Sequence, residues 1–204
     1  VPGCLVVHPS LPAKSVKDLI AHMKANPGKL NYGAPAPSSA NALEMVTFLR
    51  ATGTDAVQIA YKGGAGPAMI GLLGNEVQMM FVTFSSAINF AKQNRVRMLA
   101  VISAERNPAL PDVPTMREQG LNMTVGSWQG LFLPKGTPAD VVKKLNEAAV
   151  GALNTPVIAQ RLQEQLGVTL PKKEEQTPEW LGQFLTSEIK KWEAPIKASG
   201  ASAD

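Results

Sequence analysis

Apolar positions along the first hundred residues switch between a two-residue period and one near 3.6. Cys4 to His8 is a short β-rich run. Val16, Leu19, Ile20 and Met23 then recur at i, i+3, i+4 and i+7, which predicts a helix with one apolar stripe. Ser15 stands at its N-cap position, and Pro27-Gly28 ends it. A second strand is predicted over 29–34, followed by a helix carrying Ala42, Leu43, Val46 and Leu49, with Met45 and Phe48, that closes near Gly53. Ala56 to Tyr61 alternates as a third strand, and the glycine-rich 62–75 stretch turns into a short helix ended by Gly74-Asn75. Val77 to Thr83 is a fourth strand and 84–94 a helix, with Thr83 or Ser85 as N-cap. Val96 to Ser103 is a continuous apolar strand of the kind covered on both faces. This alternation predicts an α/β fold with a parallel or mostly parallel sheet.

The second half reads differently. Residues 104–114 carry Pro108, Pro111 and Pro114 and are predicted to be irregular. A short helix is predicted at 115–120, and Thr124 to Pro134 reads as a long strand or crossover. Helical stripes follow: Val141, Val142, Leu145 and Ala149; then Val157, Ile158, Leu162 and Leu166; then Trp180, Leu181, Phe184, Leu185, Ile189 and Trp192, with only Val168 to Leu170 interrupting. Helices without strands cannot close a core, so this tail is predicted to pack on something else. The final ASGASAD is predicted to fray.

Composition narrows the classes. The 204 residues are 45% hydrophobic and 18% charged, which fits one large domain or two lobes and excludes disorder and coiled coil. Net charge is +4, but the basic residues are scattered and not interleaved with aromatics, so no nucleic-acid partner is predicted. Cys4 is alone, which excludes an intramolecular disulfide and a cysteine metal cluster and predicts a small buried apolar residue. No apolar run approaches the ~20 residues of a membrane span. The chain begins at Val1 with no basic-then-apolar leader, so any targeting segment is expected to have been removed or to lie outside this sequence.

Catalytic motifs do not emerge. HExxH, GxSxG and CxxC are absent, and the glycines of Lys62 to Ala68 lack the Lys-Ser/Thr end of a phosphate loop. Anion binding fits the pattern better. In α/β sheets ligands collect beyond the C-terminal strand edge, where the unpartnered N–H groups of the following helices point. Three corners have the small residues that let backbone approach a ligand: Ala34 to Ser39, Gly63 to Gly66, and Thr83 to Ser86, with Ser38, Ser39, Thr83, Ser85 and Ser86 adding hydroxyls. Taken singly, each also reads as an ordinary helix start.

The segments LPAKSVKDLIAHMKANPGKLNYG, AYKGGAGPAMIGLLGNEVQMMF, RMLAVISAERNPALPDVPTMREQG and SWQGLFLPKGTP run in one order across essentially the whole chain. In these the sequence resembles the Bug family, the periplasmic substrate-binding receptors of tripartite tricarboxylate transporters. The resemblance implies a periplasmic-binding-protein-like α/β fold: one fairly complete lobe at 9–125, with 1–8 and 126–204 forming crossover strands and the helix-rich C-terminal remnant of the other lobe. It implies a ligand carboxylate held by backbone and hydroxyl groups, with Tyr32, Gly33, Ala34, Ala36, Ser38 and Ser39 as the principal corner. Tyr61, Lys62, Gly63, Gly64, Thr83 and Ser85 line the same side. It further implies periplasmic location and transporter subunits in the membrane as partners, with no catalysis, cofactor or metal. Three departures stand out. Family members carry an N-terminal stretch that builds most of the other lobe and supplies a facing corner, and nothing in this sequence resembles it. Ala36 and Pro37 replace common glycines, and Val82 stands where many members carry an Asp, which argues against an amino-acid ligand.

Two further readings come from other classes. One is a small α/β enzyme acting on a carboxylated or phosphorylated substrate, with Lys62, Glu44 or a histidine taking the proton. The other is a module that self-associates through exposed lobe-one helices.

Overall fold

The computed structural model describes residues 2–123, 128–165 and 167–199. Five strands, β1 (Gly3–Val7), β2 (Asn31–Ala34), β3 (Val57–Ala60), β4 (Met79–Thr83) and β5 (Arg97–Val101), form one sheet in the order β3-β2-β4-β1-β5. β2 runs parallel to β3 and β4, whereas β1 lies antiparallel between β4 and β5. The sheet is therefore mixed: its four later strands keep the predicted common direction, and the first enters against them. Residues 3–7, assigned above to the 1–8 crossover segment, lie inside this sheet.

Helices cover both faces. α1 (Val16–Ala25) and α2 (Ala40–Thr52) pack on one, where Leu5, Val7, Phe81 and Leu99 meet Leu19, Met23, Met45 and Phe48. α3 (Ala65–Leu73) and α4 (Phe84–Lys92) pack on the other, around Val6, Met80 and Val82. The alternating strand positions thus feed two separate cores, as a pleated sheet buried on both sides requires. Caps fix the helix starts. Ser15 Oγ accepts from Asp18 N while Asp18 Oδ2 accepts from Lys14 N, and Gly53 closes α2 in the left-handed conformation.

Cys4 is fully buried and donates to the Val82 carbonyl at 3.4 Å; burial pushes its thiol pKa up. The predicted helix at 115–120 is a set of turns instead. Thr115 bridges to Val101, and Glu118 accepts from Thr115 N while pairing with Arg106, so these residues tie off β5.

α5 (Ala139–Leu153), α6 (Pro156–Gln160), a π-turn over Arg161–Gln165 and α7 (Pro178–Ser199) form the tail. Of the predicted strand or crossover at 124–134, residues 124–127 lie outside the described residues and 128–134 are irregular. Residues 168–170 are likewise irregular. Neither α5 nor α6 has a buried residue. Instead a groove of about 820 Å³ runs between α5, α7 and the 128–134 segment, floored by Trp128, Leu145, Trp180 and Phe184. Trp180 stacks on Phe184 at 4.9 Å, and the Trp128 and Trp192 indoles both donate to Glu188 Oε2 at 3.3 Å. The tail meets the sheet domain at Gly167, a buried residue with φ +61° whose carbonyl accepts from Asn107 Nδ2. α7 also leans on α2.

Candidate functional site: three helix starts on one sheet edge

The strand order puts the C-terminal ends of β3, β2 and β4 side by side. With strands about 4.8 Å apart, the three predicted corners span about 10 Å of one edge. Tyr61 N donates to the Ala34 carbonyl at 2.9 Å, so the second corner leaves the sheet bonded to the first.

The first corner follows β2. Tyr32 is only 4% exposed and donates its hydroxyl to Gln58 Oε1, so it anchors the strand and offers backbone alone. Gly33 and Ala34 are buried as well. Ala36 makes the turn: its carbonyl accepts from Ser39 N at 3.1 Å and from Ser39 Oγ at 2.7 Å. Ser39 Oγ in turn accepts from Ala42 N, which makes Ser39 the N-cap of α2 and commits its hydroxyl. Ser38 is exposed and its hydroxyl has no partner among the described residues. Pro35 and Pro37 have no N–H to offer. The N–H groups of Ala36, Ser38, Ala40 and Asn41 find no acceptor among the described residues, and such groups at a helix start suit an anion. Asn41 Nδ2 reaches the Phe81 carbonyl at 3.1 Å and pins this first turn over the middle of β4.

In the second corner Gly63 and Gly64 both have φ +101°, a conformation that a side chain would strain, and Gly64 caps α3 without a side-chain bond. Lys62 is exposed. Tyr61 turns its ring against Gly71 and donates to Glu76 Oε2 at 3.0 Å, so its side chain serves α3. The third corner differs from its prediction in detail. Thr83 caps α4 by position but makes no side-chain cap bond; its Oγ1 lies 2.7 Å from Ser86 Oγ, with Ser85 Oγ 3.5 Å away. Helix α4 begins at Phe84, so Ser85 and Ser86 belong to its first turn.

One residue absent from the predicted ligand-holding set, and named above only as a proton acceptor in the enzyme reading, sits beneath these corners. Glu44, on the sheet-facing side of α2, is 4% exposed, and its Oε2 has no hydrogen-bond partner among the described residues. Its Oε1 would lie 3.4 Å from a Cβ built on Gly3, and Ile102 Cδ1 only 2.6 Å from it, so Gly3 leaves room for both side chains. Gly3 pairs with Thr83 in the sheet. Burial raises the Glu44 pKa from 4.5 to about 7. The signal in the sequence was its spacing: Glu44 falls within the apolar positions Ala42, Met45 and Phe48, so the helix turns it inward.

A two-faced α/β sheet with three helix starts converging on its C-terminal edge, none built on a metal cluster among the described residues, is one lobe of a periplasmic-binding-protein-like fold. The chain belongs to the TctC family, tripartite tricarboxylate transporter family receptor, whose pattern matches residues 1–201. It is 32% identical over 202 residues to the protein BugT of Bordetella pertussis, covering 98% of this chain and 60% of BugT. Among solved structures, it is 31% identical to MatC from Rhodopseudomonas palustris with bound malate, with a TM-score of 0.87 over 96% of this chain and 66% of MatC. The periplasmic binding protein BugD gives 32% identity and a TM-score of 0.89, over 98% of this chain and 66% of BugD. A second R. palustris protein, solved with adipate, gives 29% and 0.89, over 98% of this chain and 66% of that one. The chain thus spans about two thirds of these solved proteins and a little under that of BugT.

Proposed function

We propose that this chain provides one ligand-holding lobe, with the returning helices of the other, of a periplasmic receptor that captures a small organic carboxylate for a tripartite tricarboxylate-type transporter. The observation that carries the reading is the cluster of open N–H groups at Ala36, Ser38, Ala40 and Asn41 at the start of α2, flanked by the starts of α3 and α4. A carboxylate accepting from two or three of them gains roughly 1.5 to 3 kcal/mol per charge-assisted bond, and the helix dipole adds about 0.3 to 2 kcal/mol. No arginine is needed. The malate and adipate of two relatives support the class of ligand. The sheet lobe is taken as 9–125 together with β1, and the helices after 126 as the returning part of the other lobe. Titration calorimetry of the chain against mono-, di- and tricarboxylates tests this, with saturable heat expected from at least one dicarboxylate. Silence across the panel overturns it.

A second reading, pairing of two copies through the tail, is favoured by Leu131 and Phe132, which are 62% and 56% exposed at the rim of the apolar groove. Light scattering that shows a strict monomer at all concentrations removes it.

A further inference from the structure

Glu44 is a buried titratable group beneath the candidate corner that the carboxylate-holding reading leaves unused. It lies one turn into the helix whose first turn offers the open N–H groups, and Asn41, three residues earlier, fixes that turn to the middle of β4 through the Phe81 carbonyl. Its carboxyl rests over Gly3, the register partner of Thr83 in the third corner. One oxygen is sealed from solvent and unpartnered. A neutral apolar side chain would fill this space without that penalty, so the carboxyl asks for a role.

We propose that Glu44 links occupation of the corner to its own protonation, so that an anionic ligand is held more tightly when Glu44 carries a proton. The inference rests on the receptor reading. Four residues of helix rise separate Ala40 from Glu44, about 6 Å, so an anion seated beyond the helix start lies about 10 Å from the carboxyl. Two like charges at that distance, at an effective dielectric near 20, disfavour each other by about tenfold. An anion arriving while Glu44 is ionised therefore shifts its equilibrium toward the carboxylic acid, with a fraction of a proton, at most about half, taken up from solvent onto the Glu44 carboxylate. Neighbouring titratable groups do not pre-empt this. Cys4 on β1 feels the Glu44 charge, and burial alone accounts for the raised pKa of Glu44, which places its titration near neutral pH; among the described residues of α7, β4 and the Ile102 segment no charged side chain contributes.

The test titrates the chain with malate and with adipate from pH 6 to 9, above the range in which carboxylates of ordinary pKa, about 4, change charge. Calorimetry in two buffers of different ionisation heat reads the proton count. Affinity is expected to fall about tenfold across this range with proton uptake on binding, and Glu44→Gln is expected to flatten the profile. Carboxyl carbon NMR of the wild-type chain gives a second readout that does not depend on the variant folding: the Glu44 midpoint rises by about one unit on saturation. A wild-type profile flat in pH, a fall that persists in Glu44→Gln, or an unmoved midpoint each overturns the coupling while leaving the receptor reading intact. No heat with either acid at any pH overturns both.

Discussion

Glu44→Gln gives the sharpest test of how this fold carries a buried acid. In the native chain burial raises the Glu44 pKa from 4.5 to about 7. A carboxyl with a raised folded-state pKa keeps its proton in the native state while the unfolded chain releases it. Stability is then fullest below pH 4.5, declines as pH rises through the window between 4.5 and 7, and levels off above it. At about 1.36 kcal/mol per unit, the total loss is about 3 kcal/mol, a sizeable part of the 5 to 15 kcal/mol that typically holds a domain together. Gln is neutral throughout and keeps the shape. Urea unfolding of both forms at pH 5 and pH 8.5, compared as a difference, cancels the other titrating groups. Relative to wild type, the variant should gain about 2 to 3 kcal/mol on going to pH 8.5. A difference that stays the same at both pH values refutes the buried-acid argument.

Other outcomes are expected elsewhere. Gly167→Ala forces a side chain into φ +61° and places a Cβ 2.5 Å from Asn107 Nδ2 and 2.8 Å from Phe84 Cδ1; it should cost about 1 to 3 kcal/mol and loosen the tail, seen as faster hydrogen exchange at 156–165. Ser39→Ala removes both the cap to Ala42 N and the tie to the Ala36 carbonyl, and should cost about 1 kcal/mol in urea unfolding. The Asp18 pKa is lowered by the Lys14 N–H and the Ser15 side chain, so its contribution is lost as pH falls below the ordinary carboxylate range. Asp18→Asn should therefore blunt the acid limb of the stability profile. Cys4 should resist thiol reagents in the native chain and react at the rate of global unfolding.

The strand and helix elements of the first hundred residues were legible because their apolar periods are clean and their ends are marked by Ser15, Pro27-Gly28 and Gly53. The direction of β1 was not. Its run of Cys4, Leu5, Val6 and Val7 is buried on both faces, and such a run reads the same parallel or antiparallel. The turns at 115–120 looked helical because the local spacing carries no trace of the Thr115–Val101 bridge that holds them. At the site, the corners could be found from their small residues. The use of each side chain could not: Tyr32, Tyr61 and Ser39 are spent on Gln58, Glu76 and the α2 cap, through partners up to 26 positions away. Glu44 was visible as a charge at a core position, but the space its carboxyl occupies depends on the missing Cβ of Gly3, which is distant in sequence.

The antiparallel insertion of β1 bears on the order of assembly. Its pairing partners on β4 and β5 lie roughly seventy to a hundred positions later in the chain, and such long closures are slow. Until β4 and β5 arrive, β1 has neither of the two neighbours that flank it in the sheet. The first strand made is thus held with both edges unpaired until residue 83 has emerged and with one until residue 101, an interval in which a foreign strand could take a free edge.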